Sequence, residues 1–552
     1  MRDGPAILID KAWAKLMGWS AQPLHECLTV VDPKCYFNKA YKDGRWDGKI
    51  HLFEGTRFPA GLTQRVIDHF ATKDIRAVIR GWEPPETDVS EFTKDYFSCL
   101  GPKKDGSLWD HQCEAIRQML THTRGVIKSP TASGKTPMIA AVARYLWFEH
   151  GYRSIVVVPR KGLAEQTARF LREMYGEDLS VGQCGDGLKE IGTVTVSTAQ
   201  TLIGFKPRQR KKKGGGVNYI PADPELRRII DTYEVLILDE THHAPSATWY
   251  DIAMASAAFR RYGLSGTPLK NDELADLRMI GATGPILYSV DPQELIELQI
   301  AAKPKIVFIC SEAASEPELD YEWEPKVDEQ TGKMSKVRKL MGYAKAYNAG
   351  IVNSDVHNRS VVWAVLWLVD HGRRTLVLCR RKAHFVRLRE TLERLLPPEE
   401  LAAVWGATEM DERLDAKADL NDRRIKVILA TTIFDEGEDI PGVEAIVLAE
   451  GVKVPTNAVQ RIGRGMRRKE GVAEDLWVVD FGPLCHPKLL EHALAREKAY
   501  LGEGYEVLEW GKDWPVVREV GEGISEFGFY DDENLLPFEN WDKYIESEEE
   551  YV

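Results

Sequence analysis

The sequence predicts an α/β protein: two parallel-sheet lobes, a small N-terminal α+β domain before them and an acidic tail after them. Three observations predict it. At 552 residues the chain is too long for one hydrophobic core. Between about residues 108 and 298, short apolar runs at 125–128, 154–158, 193–197, 235–238 and 262–265 alternate with helical stretches. A second series follows at 305–309, 375–379, 426–430, 445–448 and 477–480. Each run is too short and too β-branched for a helix of its own, the pattern of parallel strands covered on both faces. The expected division is 1–95 for the accessory domain, 96–302 and 303–505 for the lobes, and 506–552 for the tail.

In the first segment, Tyr36, Phe37, Trp46, Ile50, Leu52 and Phe53 predict short strands around the Asp43-Gly44 and Asp47-Gly48 turns. Residues 62–70 read as one helix, and Gly81-Trp82-Glu83-Pro84-Pro85 as a linker. Two insertions interrupt the lobes. Residues 206–216 (KPRQRKKKGGG) form an exposed basic loop, either a disordered excursion or a grip on nucleic-acid phosphates. Residues 312–339 are polar and charged.

The net charge of -12 argues against a nucleic-acid binder until it is mapped. Twelve acidic residues lie from Glu519 onward against Lys543 alone, so the body is close to neutral and can carry a basic track. The tail is expected to keep the protein soluble. No run of about twenty apolar residues offers a membrane span. The N-terminus has charges and prolines where a secretory signal needs an apolar run, so a cytoplasmic location is expected. The eight cysteines are scattered without a CxxC pair, as reduced thiols are.

Three motifs carry chemistry. Ser129-Pro130-Thr131-Ala132-Ser133-Gly134-Lys135-Thr136 sits between an apolar run and a helical stretch. A triphosphate needs converging backbone N–H groups, a lysine at its β- and γ-phosphates and a hydroxyl on Mg²⁺, which this order supplies. Val235-Leu236-Ile237-Leu238-Asp239-Glu240-Thr241-His242-His243 ends a buried strand in two carboxylates. Asp239 is expected to hold Mg²⁺ and Glu240 to deprotonate the attacking water. Gln460-Arg461-Ile462-Gly463-Arg464-Gly465-Met466-Arg467-Arg468 places Arg464 and Arg467 three apart, on one face if helical. Such arginines either form a solvated basic face or stabilise charge on a transferring phosphoryl group.

Over residues 108–482 the chain resembles the superfamily-two helicases, whose lobes are RecA-like. The resemblance implies ATP and Mg²⁺ as cofactors and gives roles to further residues. In Leu108-Trp109-Asp110-His111-Gln112, Gln112 would contact adenine, with Trp109 in place of a more usual Arg. Thr131, Ser133, Gly134, Lys135 and Thr136 would bind the phosphates. Val158-Pro159-Arg160 and Ser197-Thr198-Ala199-Gln200 resemble strand-gripping elements, with Pro159, Arg160 and Thr198 at nucleic acid. Ser265-Gly266-Thr267-Pro268 resembles the element linking hydrolysis to lobe movement, and Arg380 and Thr431 resemble the second lobe's nucleic-acid contacts. Gly437 and Asp439, in Glu436-Gly437-Glu438-Asp439, would sense nucleotide together with Gln460. Asp-Glu-Thr-His-His is of DExH rather than DEAD type. Cys35-Tyr36-Phe37-Asn38, residues 44–53 and Gly61-Leu62 resemble the front domain of the UvsW family of phage recombination helicases, which remodel branched DNA.

The function expected is an ATP-dependent DNA helicase or translocase acting on branched or duplex DNA, with single strands as a further partner and no membrane partner. Residues 1–95 would select the substrate and the lobes supply the drive. The alternatives are an RNA helicase, the translocating subunit of a restriction complex, and a nucleotide-gated DNA-binding scaffold.

Overall fold

The computed structural model describes residues 2–32, 35–81, 85–90, 92–94, 107–185, 187–211, 217–269, 272–309, 321–327, 334–340, 342–431, 440, 442–451, 454–467, 475–482 and 486–508. The chain divides into two compact units, Met1–Asp291 and Pro292–Val552.

The first unit is built on an eight-stranded sheet. Its strands run in the order Leu188–Lys189, Val181–Gly185, Val194–Thr198, Ser154–Val158, Val235–Asp239, Arg260–Ser265, Arg124–Lys128 and Ile286–Ser289, parallel except for the first. Alternate residues of one strand feed two separate cores. Val156, Val158 and Ile237 pack on one face with the helices Asp110–Thr121, Lys135–His150 and Lys161–Tyr175. Ile155, Val157, Leu236 and Leu238 pack on the other with Pro224–Thr232 and Ala247–Ala255. Burial on both faces is why these strands read as unbroken apolar runs.

The first eighty residues form a four-stranded sheet in the order Arg57–Pro59, Trp13–Met17, Arg2–Asp10 and Ile75–Arg80, backed by the helix Thr63–Ala71. Its core is completed by a helix from far along the chain: Leu277, with Leu274 and Ile280, joins Ile7, Leu16, Phe58, Leu62 and Val66. These residues belong to the helix Glu273–Thr283, and a Cβ on Gly61 would stand 1.9 Å from the Ile280 carbonyl oxygen. Trp13 Nε1–H donates to the Met254 carbonyl at 3.2 Å and Arg124 to that of Lys11 at 2.8 Å. Arg261, wholly buried, donates to the carbonyls of Ala253, Ser256, Ala258 and Ala282, tying together the C-terminal ends of Ala247–Ala255 and Glu273–Thr283.

Tyr36 and Phe37 are not in a strand. They stand on a 3₁₀ turn, Cys35–Phe37, and only Lys49–His51 of the expected region is extended, paired with Thr29–Val31. The basic insertion is also more ordered than a loop: Arg208–Lys211 pairs antiparallel with Val217–Ile220, and the residues between lie outside those described.

The second unit holds a seven-stranded parallel sheet in the order Leu401–Val404, Val427–Ala430, Thr375–Leu378, Ala445–Leu448, Asp475–Phe481, Lys303–Ile309 and Glu506–Leu508. One face packs on Asp355–Asp370 and Lys382–Leu395. On the other, Gly465 lies so close to the sheet that a Cβ would stand 2.8 Å from Leu476. In the second insertion, Tyr321–Val327 pairs antiparallel with Met334–Leu340. The tail from residue 509 lies outside the described residues. Among those described, no helix is long and apolar enough to cross a membrane.

Two buried histidines make this unit sensitive to acid. Burial pushes His357 down to about 4 and His384 down to about 3, and neither ring nitrogen of His384 has a hydrogen-bond partner. Both values lie below the roughly 6.5 of an unfolded histidine, so the unfolded chain binds these protons first. Their contribution is complete above about pH 6.5 and is lost as pH falls towards 4. At pH 5 the loss is roughly 2 kcal/mol per histidine. Thermal melts should show His384→Leu losing less stability than the wild type between pH 7.5 and pH 5. Equal losses would refute the assignment.

Candidate functional site

All motifs of the first unit except that at 108–112 emerge from the same edge of its sheet. The strands Val194–Thr198, Ser154–Val158, Val235–Asp239, Arg260–Ser265 and Arg124–Lys128 are parallel neighbours. Their C-terminal ends therefore bring Thr198, Pro159, Asp239, Ser265 and Ser129 out side by side, where open α/β sheets bind ligands. Two strand spacings separate Asp239 from the phosphate loop, about 10 Å.

The loop itself is tightly wound. Ser129 N–H donates to the Ser265 carbonyl at 2.8 Å, and the Ser129 and Ser133 hydroxyls bond to each other. Ala132 and Gly134 both adopt left-handed conformations, with φ of 74° and 81°. Successive turns of this kind point backbone N–H groups inward at an anion. Glycine suits 134, where the left-handed φ strains any other residue and a Cβ would stand 2.1 Å from Gln112 Nε2 and push that amide off its bond to Ser133. Ala132 holds its left-handed position at a cost of roughly 1–2 kcal/mol. Gln112 is buried; its Oε1 accepts from Trp109 N–H at 3.0 Å and its Nε2 donates to the Ser133 carbonyl at 3.0 Å. His111 Nε2 lies at the same carbonyl oxygen, also at 3.0 Å. Thr131 and Thr136 flank this turn, Thr136 in the first turn of Lys135–His150.

Lys135 Nζ donates to Glu240 Oε1 at 2.7 Å, joining the phosphate loop to the acidic box. Glu240 occupies a left-handed conformation, φ 53°, a strained state of the kind found at functional sites. Its other oxygen lies 3.3 Å from His242 Nδ1 and 3.5 Å from Ser265 Oγ, and Ser265 Oγ accepts from Thr267 N–H at 3.2 Å. The two carboxyls are driven apart electrostatically. Burial raises Asp239 above the ordinary carboxylate range; Lys135 opposes this and the Glu240 charge adds to it. Burial also acts upward on Glu240, but the Lys135 charge and the bond from His242 outweigh it and hold that carboxyl below the ordinary range. Asp239 and the Thr136 hydroxyl are hard oxygen donors, which fit Mg²⁺.

The remaining residues of the first unit serve different local roles. Thr198 is buried; its hydroxyl accepts from Thr201 N–H at 3.2 Å and donates to Thr201 Oγ1 at 3.0 Å, capping the helix Ala199–Leu202. Pro159 is buried, and Arg160 opens the helix Lys161–Tyr175 half-buried.

In the second unit, Gln460 and Arg464 lie half-buried on the helix Pro455–Gly465. Arg467 does not share their helical face. The helix stops at Gly465, and Arg467 is exposed in an antiparallel bridge to Ala301, so the spacing of three no longer aligns it with Arg464. Arg461 is buried against Glu450, with Nη1 to Oε1 at 2.5 Å. Arg380 is exposed just beyond the strand Thr375–Leu378, and Thr431 is buried with its N–H on the Val404 carbonyl at 3.2 Å. Gly437, Asp439 and Arg468 lie outside the described residues.

Sequence reasoning missed Glu450, and also the buried group in which Arg496 Nε donates to Asp480 Oδ2 at 2.7 Å and Tyr500 donates to the same oxygen at 2.9 Å. A lone Asp inside the apolar run 476–481 is the signal that could have flagged it, since a buried charge needs a partner.

Two families match the chain: that described as "Type III restriction enzyme, res subunit" over residues 105–270, and "Helicase conserved C-terminal domain" over residues 358–469. The DNA 3'-5' translocase XPB2 of Sulfurisphaera tokodaii is 25% identical over 388 residues, covering 68% of this chain and 82% of that protein. The ATP-dependent DNA helicase uvsW of Enterobacteria phage T4 is 22% identical over 456 residues, 78% of this chain and 81% of that one. Among solved structures, the DUF1998 helicase MrfA bound to DNA has a similar fold, with a TM-score of 0.50 at 15% identity over 77% of this chain and 52% of that one.

Proposed function

We propose, because this chain belongs to the superfamily-two helicases, that it hydrolyses ATP to move on DNA and remodels branched or double-stranded DNA in recombination, repair or replication-fork processing. The observation that carries the reading is the Lys135–Glu240 contact at 2.7 Å, which unites a phosphate-binding lysine and a general base at one sheet edge. Lys135 binds the β- and γ-phosphates, Gln112 the adenine, and the loop from Thr131 to Thr136 the phosphate oxygens. Glu240 takes the proton of the attacking water. Mg²⁺, held by Asp239 and Thr136, would neutralise charge on the phosphates. Arg464 and Arg467 are assigned to the charge that develops on the transferring group, Gly437, Asp439 and Gln460 to sensing nucleotide, and Pro159, Arg160, Thr198, Arg380 and Thr431 to the nucleic acid.

ATPase rates with single-stranded, blunt duplex and forked DNA, and with RNA, test the reading at one salt concentration. The largest stimulation is expected from duplex or forked DNA. A larger one from RNA would overturn the DNA assignment, and none from any nucleic acid would leave a nucleotide-gated scaffold. A second reading, the translocating subunit of a restriction complex, is favoured by the description of the family matched over residues 105–270. It predicts ATP-driven sliding on duplex DNA with no displacement of a fork's strands.

A further inference from the structure

The N-terminal domain displays aromatic rings that its own core does not use. Phe37 is 84% exposed, the most exposed large hydrophobic side chain among the described residues, and its neighbour Tyr36 is 64% exposed. A ring on a slack loop could fold back onto the protein, but this turn is pinned at both ends. Cys35 is buried and its N–H donates to the Asp32 carbonyl at 2.9 Å; Asn38 N–H donates to the Cys35 carbonyl at 2.9 Å. The Asn38 side chain then accepts from Ala40 N–H at 2.9 Å and starts the short helix Lys39–Lys42.

Behind Tyr36 stands a ladder of supporting rings. Tyr36 meets Tyr41 edge-on with centroids 5.4 Å apart, and Tyr41 meets Trp46 at 6.5 Å. Trp46 is fixed by its Nε1–H, which donates to the Lys49 carbonyl at 2.8 Å. Gly48, at φ 78°, lets the chain pass against Tyr41, whose ring a Cβ there would approach to 2.9 Å. Cations alternate with the aromatics along the segment: Lys39, Lys42, Arg45 and Lys49 are all exposed. Asp43, an acid within the patch, is paired with Arg45 at 2.6 Å.

The geometry points to a stacking site for unpaired nucleobases, in which Phe37 and Tyr36 receive base faces while Lys39, Lys42 and Lys49 meet the backbone phosphates. Exposed, pre-positioned rings interleaved with cations are how proteins hold single strands without reading their sequence. A protein partner fits the patch less well, because lysine is depleted at protein–protein interfaces. The inference rests on the reading of the chain as a DNA motor. It adds a contact that exists only where bases are unpaired, as at a fork or junction, whereas backbone contacts carry no such information.

The test uses the full chain carrying Tyr36→Ala and Phe37→Ala together, both exposed, with a circular-dichroism melt to confirm folding. Fluorescence anisotropy at one salt concentration then measures binding to an oligothymidylate, a forked duplex and a blunt duplex. The double variant should bind the oligothymidylate and the fork at least roughly thirtyfold more weakly, two stacked bases being lost, bind the blunt duplex as the wild type does, and regain affinity when Phe37→Trp replaces the alanine. Unchanged binding to the fork and the oligothymidylate would overturn the stacking site while leaving the motor standing. An equal loss on blunt duplex would overturn it too, because that would mark a general duplex contact. If the wild type binds none of the probes and no DNA stimulates its ATPase, the motor reading falls as well.

Discussion

Replacing Lys135 with alanine is expected to bring ATP turnover to background in a protein that still folds. The substitution removes the cation that reaches the β- and γ-phosphates, and it removes the 2.7 Å partner of Glu240. Lys135 sits on the partly exposed first turn of its helix, outside both cores of the unit, so the protein should still melt cooperatively, at a somewhat lower temperature because Glu240 loses its cation. The lysine is also what draws Glu240 downward against burial, so in its absence that carboxyl moves back up. Phosphate release at saturating DNA measures the effect. Near-normal hydrolysis by a well-folded Lys135→Ala protein would end the motor reading.

Glu240→Gln should separate binding from chemistry. The amide retains an oxygen to accept from Lys135, so the loop keeps its geometry, but it cannot take a proton from water. Loss of a general base costs on the order of a hundredfold or more in rate. ATP should bind at least as well as before. Glu240 is one of the influences that raise Asp239, and removing its charge favours the ionised carboxylate that a cation needs. Single-turnover hydrolysis and nucleotide titration read the two effects independently. A fall of only about twofold would mean that another residue is the base.

The parts legible in the sequence were those whose chemistry is contiguous or whose burial is complete. Ser154–Val158 and Ala445–Leu448 could be placed to the residue because both of their faces are covered. Leu401–Val404 and Glu506–Leu508 could not, because they are edge strands, short and only partly buried. Arg2–Asp10 was hidden by its opening Arg-Asp-Gly-Pro; the structure accommodates it with a register shift between Asp3 and Ala6. In the candidate site, Lys135, Asp239 and Glu240 could be put forward from their neighbours in contiguous motifs. That Lys135 rests on Glu240 depends on how the strands are ordered in the sheet, and local spacing does not record it; that Arg461 rests on Glu450 depends on how the helix Pro455–Gly465 folds back on the strand before it. The expected alignment of Arg467 with Arg464 did not hold, because a spacing of three aligns two side chains only while the helix lasts, and this one ends at Gly465.

The sheet of the first eighty residues and the helix Glu273–Thr283 share a core, and they are made at very different times. At ribosomal rates, the stretch between Arg80 and Glu273 takes roughly ten to forty seconds to synthesise. Throughout that interval Leu16, Leu62 and Val66 have no Leu277 to pack against. The amino-terminal sheet therefore waits, incomplete and with apolar surface uncovered, until most of the first unit has been translated. A chain begun at Phe92 would have the opposite defect, leaving Leu274, Leu277 and Ile280 uncovered and Arg260 without its 2.6 Å bond to Thr87. The sheet made well before its completing helix is among the last parts of the unit to finish folding.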